Sequence, residues 1–133
     1  MCTILVVEDE NDFQKLICAH VQDIPFVTRV ITSKTLSETL NILQKTTVDI
    51  ILLDLNLPDS HGADTVEEII IKFPESLILV MTGLTLDREL IDRLIIAGAF
   101  AFLNKIQLFQ SVLSDWISQA WTHKKAGMLF GLR

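Results

Sequence analysis

The chain has few cysteines, few basic residues and no long apolar run, and each shortage excludes a class of protein. Its 133 residues include two cysteines, Cys2 and Cys18, without a C-x-x-C pair. Disulfide-rich and zinc-binding domains need more cysteines at closer spacing. We therefore expect neither a disulfide framework nor a zinc site, and a reducing cytoplasm is the expected location.

Positive charge is also scarce, because 11 lysines and arginines stand against 17 aspartates and glutamates, which gives a formal net charge of −6. Nucleic acids and anionic membranes attract basic surfaces, so neither is expected as a direct partner. The longest uncharged apolar run, from Leu94 to Leu103, is about half as long as a membrane-spanning helix. No basic start precedes an apolar stretch at the N-terminus, so no signal peptide is expected either.

The chain is rich in apolar residues, which make up 50% of its length, and that length suits one domain. Short apolar segments alternate five times with longer segments of helical period, a pattern typical of βα repeats with a parallel sheet. The predicted strands are residues 4–7, 26–31, 50–53, 77–81 and 101–103. The first, third and fourth are continuously apolar, which places them at the centre of the sheet and the other two at its edges.

A helix is predicted after each strand from capping residues and apolar spacing, with Phe13 on the apolar face of the first. The expected boundaries are Asn11 or Asp12, Ser33 and Asp87 as N-caps of the first, second and fourth helices, Pro74 after the third and Gly98 after the fourth. The fifth helix is predicted from about Gln107 to residue 122. Residues 1–122 thus form the expected domain, and residues 123–133 a tail without a clear period.

Polar residues follow the strands at their carboxyl ends, where functional sites collect in open α/β sheets. They are Glu8, Asp9 and Glu10 after the first strand, Asp54 after the third, Thr82 and Gly83 after the fourth, and Asn104 and Lys105 after the fifth. The central strands would thus bring several carboxylates and a hydroxyl to one edge. The polar residues of the loop after Asp54 are expected to be solvated, and these are Asp59, His61 and Asp64.

Carboxylates held close together repel each other unless a cation lies among them. Oxygen ligands with few protein donors suit Mg²⁺, which keeps several waters and accepts phosphate oxygens. With Mg²⁺ on one side and Lys105 on the other, Asp54 could attack phosphorus and form an acyl phosphate. Thr82 could then donate its hydroxyl to a phosphoryl oxygen.

Taken singly, each residue also has an ordinary structural explanation. Glu8 and Asp9 could be acids that favour the start of a helix. Asp54 and Thr82 could be turn residues, and Lys105 a solvated charge. Their joint occurrence at successive strand ends favours a phosphoryl-transfer site.

The segments that carry these residues resemble the receiver domains of two-component response regulators, the CheY-like superfamily. In order along the chain they are Ile4 to Glu10, Leu52 to Pro58 with Gly62, Val80 to Gly83, and Ala97 to Lys105. The resemblance spans residues 3 to about 122. It implies an α/β fold, namely a single doubly wound (βα)5 flavodoxin-like domain whose five-stranded parallel sheet has the order 2-1-3-4-5.

The resemblance also assigns roles to individual residues. The phosphoryl group is implied to be accepted by Asp54 and held by Thr82 and Lys105, and Phe102 is the implied switch aromatic. The implied Mg²⁺ ligands are Glu8, Asp9, Asp54 and the backbone carbonyl of Asn56.

Two positions depart from the usual pattern of the family. Ile106 follows Lys105 where proline is usual, often with a cis bond. Because a cis bond before a non-proline residue costs about 2.5 to 4 kcal/mol, this bond is expected to be trans or strained. Phe102 stands where tyrosine is common, and it lacks a hydroxyl that could form a hydrogen bond.

The function implied by the resemblance is a signalling switch, not an enzyme, whose only reactions are its own phosphorylation and dephosphorylation. A sensor histidine kinase or a phosphotransfer protein would supply the phosphoryl group. Apart from the resemblance, the position of Leu84 two residues after Thr82 leads us to expect that it partly shields this group from water. The domain would control a downstream protein target or an output domain through its fourth helix, fifth strand and fifth helix. The helical spacing of Ile96, together with Phe100 and either Trp116 or Trp121, indicates an apolar patch there that would suit a partner or a homodimer. A locally thick core or scattered apolar residues on the surface explain the same residues equally well.

Other functions fit the sequence less well. A flavodoxin-like flavin carrier needs a hydroxyl- and glycine-rich phosphate loop after the first strand, where this chain has three acids. A phosphatase with an aspartate nucleophile would need a second acid two positions after Asp54, where Asn56 stands. The main alternative is a receiver fold that binds protein without phosphorylation, because the usual proline is missing.

Overall fold

A five-stranded parallel sheet forms the centre of the molecule. The computed structural model describes residues 1–83 and 86–130, and the side chains of all of these except Gln110, Leu129 and Phe130. The strands are β1 (Cys2–Val7), β2 (Val27–Ser33), β3 (Ile50–Asp54), β4 (Leu77–Thr82) and β5 (Ala101–Asn104). Their order is β2-β1-β3-β4-β5, so the predicted 2-1-3-4-5 order is confirmed.

The burial of each strand follows from its sequence. Every side chain of β3 is buried, as are nearly all of those on β1 and β4. The edge strand β2 is mostly exposed or half-buried, because polar residues interrupt it. The continuously apolar strands therefore occupy the centre of the sheet, as predicted.

Within the described residues, five α-helices cover both faces of the sheet, and they are α1 (Asn11–Gln22), α2 (Leu36–Lys45), α3 (Ala63–Lys72), α4 (Arg88–Ala97) and α5 (Leu113–Phe130). One core cluster lies between the sheet and helices α1 and α5, and the other lies between the sheet and helices α2, α3 and α4. This two-sided arrangement confirms the doubly wound class. A short antiparallel hairpin, Asn56–Leu57 with Ser60–His61, leads from β3 to α3.

The N-terminal caps agree with the prediction only at α4, where the Asp87 carboxylate accepts a hydrogen bond from the Leu90 N–H at 2.8 Å. Helix α1 is capped by Glu10 and not by Asn11 or Asp12. The prediction for α1 is wrong because the carboxylate of Glu10, one residue before the helix, accepts hydrogen bonds from the N–H groups of Asp12 and Phe13 in the first turn. Side-chain acceptors at this position satisfy helix-start N–H groups.

The predicted cap of α2 is also wrong. Ser33 belongs to β2, and its hydroxyl lies 2.7 Å from the Thr39 hydroxyl, whereas Thr35 caps the helix by accepting from the Glu38 N–H at 3.0 Å. The cause is that β2 extends to residue 33, two residues past its predicted end. The cap is thus a hydroxyl residue, as predicted, but it is Thr35 and lies two residues after Ser33.

The loop after β3 adds a second cap to α2. The Asp59 carboxylate accepts the N–H groups of Leu36 at 2.8 Å and Ser37 at 3.0 Å. These hydrogen bonds to its charged form lower the pKa of Asp59. The expectation that Asp59 is merely solvated is therefore wrong. Asp64 instead forms an exposed ion pair with Arg93 at 3.2 Å.

Helix α5 begins later and ends later than predicted. A 3₁₀ turn (Lys105–Gln107) and a π-helical turn (Leu108–Val112) precede it, and the helix continues to Phe130. The first residues of the expected tail are therefore helical. The Lys124 ammonium is buried and lies 3.7 Å from an Asp49 carboxylate oxygen, which holds this helix to the amino end of the sheet.

Two further expectations concern surfaces. Ile96 is 85% exposed, as predicted, while Phe100 and Trp116 are half-buried and meet edge-to-face with ring centroids 6.4 Å apart. Trp121 is buried in the core. Among the helices within residues 1–83 and 86–130, none has the length and apolarity that a membrane span requires.

Candidate functional site

Three adjacent strands end at one edge of the sheet and bring the predicted site residues together. β1 pairs in parallel with β3, and β3 with β4, so their carboxyl ends lie side by side. A cavity of about 270 Å³ at this edge is lined by Glu8, Asp9, Glu10, Asp54, Asn56, Thr82, Gly83 and Lys105. All of the predicted site residues except Phe102 therefore line the same cavity.

An acidic cluster forms one side of this cavity. Glu8, Asp9 and Asp54 each offer a carboxylate oxygen, and these oxygens lie within 4.8 Å of one another. Glu8 and Asp54 are buried and Asp9 is exposed, so the cluster is open to solvent on one side. Hard oxygen donors with space for water suit Mg²⁺. The donor set therefore fits the implied metal.

Asn56 lies at the rim of the cavity, where the chain enters the short hairpin after β3. Its N–H donates to Oδ1 of Asp54 at 3.2 Å, which holds that carboxylate in place. Its side chain is exposed. The role of its backbone carbonyl as a metal ligand stays a prediction.

Lys105 reaches the acidic cluster from β5. Its Nζ lies 2.5 Å from Oε1 of Glu8 and 3.4 Å from Oδ2 of Asp54. The positive charge of Lys105 therefore offsets part of the repulsion between these two buried carboxylates. The lysine thus comes from the end of an edge strand, as predicted.

Burial raises the pKa of Glu8 to about 7, since the charged carboxylate loses solvation inside the protein. The hydrogen bond from Lys105 lowers this pKa, whereas the neighbouring Asp54 raises it further by hydrogen bonding and by charge repulsion. Without a bound cation, Glu8 would therefore be partly protonated near neutral pH.

Thr82 and Phe102 lie on neighbouring strands. Thr82 is the last residue of β4, is buried and lines the cavity. Phe102 pairs with Val80 on β4 and is half-buried against the core cluster on the side of α2, α3 and α4. Leu84, the residue expected to shield the phosphate, lies outside the described residues.

The segment after β5 holds its shape without the usual proline. No cis peptide bond occurs among residues 1–83 and 86–130, so the bond before Ile106 is trans. The Asn104 side-chain oxygen accepts the Ile106 N–H at 2.8 Å, and this turn leads into the 3₁₀ segment. Ile106 itself is 82% exposed.

Phe13 is also a neighbour of the site. From the sequence, it is predicted only to lie on the apolar face of α1. The Nζ atom of Lys105 lies 4.7 Å from the centroid of the Phe13 ring. One feature of the sequence is consistent with this contact. Phe13 follows Asp9 by four residues, about one helical turn, and so lies near the carboxyl edge of the sheet.

The fold and this edge define a doubly wound α/β domain with an acidic, lysine-containing site at the carboxyl ends of its strands. The model of the response regulator receiver domain matches residues 4–114. The chain therefore belongs to the response regulator receiver domain family of two-component systems, and the expected CheY-like identity is confirmed. It is a regulatory domain.

The relatives of the chain are longer proteins and other receiver domains. It is 26% identical over 104 residues to the transcriptional regulatory protein DpiA of Escherichia coli (strain K12), which covers 77% of this chain and 45% of DpiA. The chain thus spans less than half the length of this relative.

Solved structures of other proteins share the fold, and two of them serve as examples. One is a CheY-like response regulator receiver domain protein from Methanospirillum hungatei JF-1, with a TM-score of 0.78, 21% identity, and coverage of 96% of this chain and 99% of that one. The other is a response regulator protein from Burkholderia pseudomallei with a phosphorylated aspartic acid and a calcium ion, with a TM-score of 0.76, 20% identity, and coverage of 97% and 74%.

Proposed function

We propose that this receiver domain is a phosphorylation-dependent switch in which Asp54 accepts a phosphoryl group from a sensor histidine kinase or a phosphotransfer protein. The supporting observation is the position of the Asp54 carboxylate. It shares a metal-sized acidic cluster with Glu8 and Asp9, and its Oδ2 lies 3.4 Å from the Lys105 ammonium. The Burkholderia pseudomallei relative, with its phosphorylated aspartic acid and calcium ion, supports the same chemistry.

Each oxygen of the Asp54 carboxylate has its own partner. Oδ1 accepts the Asn56 N–H at 3.2 Å, and Oδ2 faces Lys105. Attack by a carboxylate oxygen forms an oxygen–phosphorus bond while the bond to the donor group breaks, which leaves an acyl phosphate on Asp54. Lys105 offsets the negative charge on the transferring group and then holds the new phosphate.

The metal is proposed to be Mg²⁺, held by Glu8, Asp9, Asp54 and the backbone carbonyl of Asn56. When bound, it would neutralise negative charge on the transferring phosphoryl group. Glu8, Asp9 and Asp54 are neighbouring carboxylates and repel one another. A bound cation would relieve this repulsion.

The output step starts from Thr82. Its hydroxyl lies at the cavity and could bind a phosphoryl oxygen, and drawing Thr82 inward would free space near Phe102 on the neighbouring strand. Phosphorylation would then shift an existing two-state equilibrium of α4 and β5. The affected surface carries the exposed side chain of Ile96 and the half-buried ring of Phe100, which suits a partner or a homodimer contact.

The downstream element is proposed to be a protein target or an output domain, since this chain spans 45% of the transcriptional regulatory protein DpiA. The alternative is a receiver fold that binds its partner without phosphorylation. Its main argument is the missing proline, and that argument carries less weight because Lys105 lies 3.4 Å from Asp54 without it.

The deciding experiment is incubation of the chain with acetyl phosphate and Mg²⁺, followed by intact mass measurement. We expect one added phosphate that is absent from Asp54→Asn and retained in Asp64→Asn, a matched exposed acid outside the cavity. A wild-type chain that gains no phosphate would contradict the proposed phosphoacceptor and favour the binding-module alternative.

A further inference from the structure

Two side chains of the segment after β5 contact the same aromatic ring on α1. The Lys105 ammonium lies 4.7 Å from the centroid of Phe13. Phe109, four residues further along the segment, meets Phe13 edge-to-face with centroids 5.8 Å apart and planes at 68°. The Phe13 ring is therefore held by Phe109 while it contacts Lys105.

The Lys105 ammonium needs such a contact, because the turn at Asn104 fixes only the backbone of this segment. A lysine side chain is a flexible four-carbon stem, so its charge can occupy many positions from one backbone. The side chain of Ile106 is exposed, so its packing restricts the lysine little. The ammonium position must therefore come from partners of the side chain itself.

Those partners are of two kinds. Glu8 and Asp54 attract the ammonium by charge, but both also belong to the acidic cluster that fits a divalent cation. A cation there competes for the same oxygens and weakens their attraction for Lys105. The face of the Phe13 ring attracts an ammonium group too, and a metal does not occupy that face.

We infer that Phe13 is a positioning residue for Lys105, whose ammonium group it holds beside Asp54 through the face of its ring, with Phe109 supporting the ring from its edge. The inference rests on the proposed function, since it concerns the lysine proposed to bind the phosphoryl group. It also accounts for the placement of Lys105 in a chain that lacks the usual proline.

The contact itself is tested by NMR without any phosphorylation. Protons of the Lys105 side chain that lie over the ring face should be shifted upfield, and the signals are assigned with Lys105→Arg. We expect Phe13→Leu to abolish the upfield shift and Phe13→Tyr to keep it. The control Phe26→Leu removes a ring that stacks on Trp121, and it should leave the Lys105 signals unchanged. An upfield shift that persists in Phe13→Leu would overturn the inferred contact.

The positioning role is tested by the rate of phosphorylation by acetyl phosphate at saturating Mg²⁺. We expect Phe13→Leu to lower this rate about three- to tenfold, the size of a cation–π contact, and Phe13→Tyr to stay within about twofold of the wild type. Thermal unfolding of each variant identifies any loss of the fold. An unchanged rate in a folded Phe13→Leu variant would overturn the positioning role.

A double-variant cycle separates positioning from a general packing effect. If Phe13 acts through Lys105, Phe13→Leu should slow the residual reaction of Lys105→Ala no further. Equal losses in both backgrounds would contradict the inference. If the wild-type chain takes no phosphate, the proposed function fails, and the upfield shift alone then decides whether Phe13 holds Lys105.

Discussion

The Lys105 ammonium lies beside the acidic cluster, 2.5 Å from Oε1 of Glu8 and 3.4 Å from Oδ2 of Asp54. In this position the lysine stabilises the buried carboxylate of Glu8. In the described part of the chain, Glu8 forms no ion pair with another cation. A divalent cation that binds the cluster must displace or repel this ammonium group. Binding of metal and the position of Lys105 are therefore linked.

Replacing Lys105 with methionine should tighten Mg²⁺ binding. The variant keeps much of the side-chain volume and removes the positive charge that repels the metal, so we expect the dissociation constant to fall roughly threefold or more. The measurement is calorimetric titration at pH 9, because loss of the hydrogen bond from Lys105 raises the pKa of Glu8 above its value of about 7 and a proton on Glu8 would compete with the metal. Lys72→Met is the control, because Lys72 pairs with Glu68 on the surface of α3, and weaker binding in Lys105→Met would contradict the prediction.

The raised pKa of Glu8 should make the metal-free domain less stable as pH rises towards 7. Its pKa is about 7 in the folded protein and 4.5 ordinarily, so between these values the folded state keeps a proton that the unfolded state has lost. The free energy of unfolding therefore falls as pH rises from about 5 to about 7, and it then levels off.

Urea unfolding of the metal-free protein at several pH values measures this dependence. Glu8→Gln should flatten the slope between pH 5 and 7, because it removes the titrating group, whereas Glu67→Gln on the outside of α3 should keep it. Mg²⁺ should stabilise the wild type most above pH 7, where no proton competes for Glu8. An unchanged slope in Glu8→Gln would show that another group titrates.

The parts of the fold that depend on local patterns could be predicted from the sequence. The apolar run Ile50 to Leu53 identifies a buried strand, and the acid that follows it must then lie at the carboxyl edge of the sheet. The same rule places Glu8 and Thr82 at that edge. Parallel topology alone therefore brings most of the candidate site together.

The parts that depend on contacts between distant segments could not be predicted in this way. Asp59 caps a helix whose start lies 23 residues earlier in the chain, and no spacing rule relates the two. The contact between Phe13 and Lys105 depends likewise on how α1 packs beside the segment after β5. Lys124 looks like part of a charged tail in the sequence, yet it is buried against the loops below the sheet.

Removing the second cap of α2 should destabilise the domain. In Asp59→Ala, the N–H groups of Leu36 and Ser37 lose their acceptor, and we expect the free energy of unfolding to fall by about 1 kcal/mol at pH 7. Since the pKa of Asp59 is lowered in the folded state, this stabilisation should disappear as the carboxyl becomes protonated in acid. Asp64→Ala removes an exposed ion pair and should change stability little. Equal effects of the two variants in urea unfolding would argue against the cap.

Introducing the proline that the family usually carries should harm this chain. Ile106→Pro removes the N–H that donates to Asn104, so we expect a loss of about 0.5 to 1.5 kcal/mol in the free energy of unfolding. Phosphorylation by acetyl phosphate should also slow, because Lys105 precedes the altered bond. Ile106→Ala keeps the N–H and removes only an exposed side chain, so it should behave like the wild type. A more stable Ile106→Pro variant would mean that the turn at Asn104 is dispensable.

The helical continuation of α5 should contribute to stability through Lys124. Its side chain is buried, donates to the backbone carbonyl oxygen of Glu75 and pairs with Asp49, so Lys124→Met leaves a half-buried carboxylate and a carbonyl without this partner. We expect the free energy of unfolding to fall by about 2 kcal/mol or more in urea. The neighbouring Lys125→Met is the matched control, because Lys125 is exposed and contacts only the Trp121 ring among the interactions described. If a chain ending at residue 122 unfolded at the same urea concentration as the full chain, residues 123–130 would add nothing to the stability of the receiver domain.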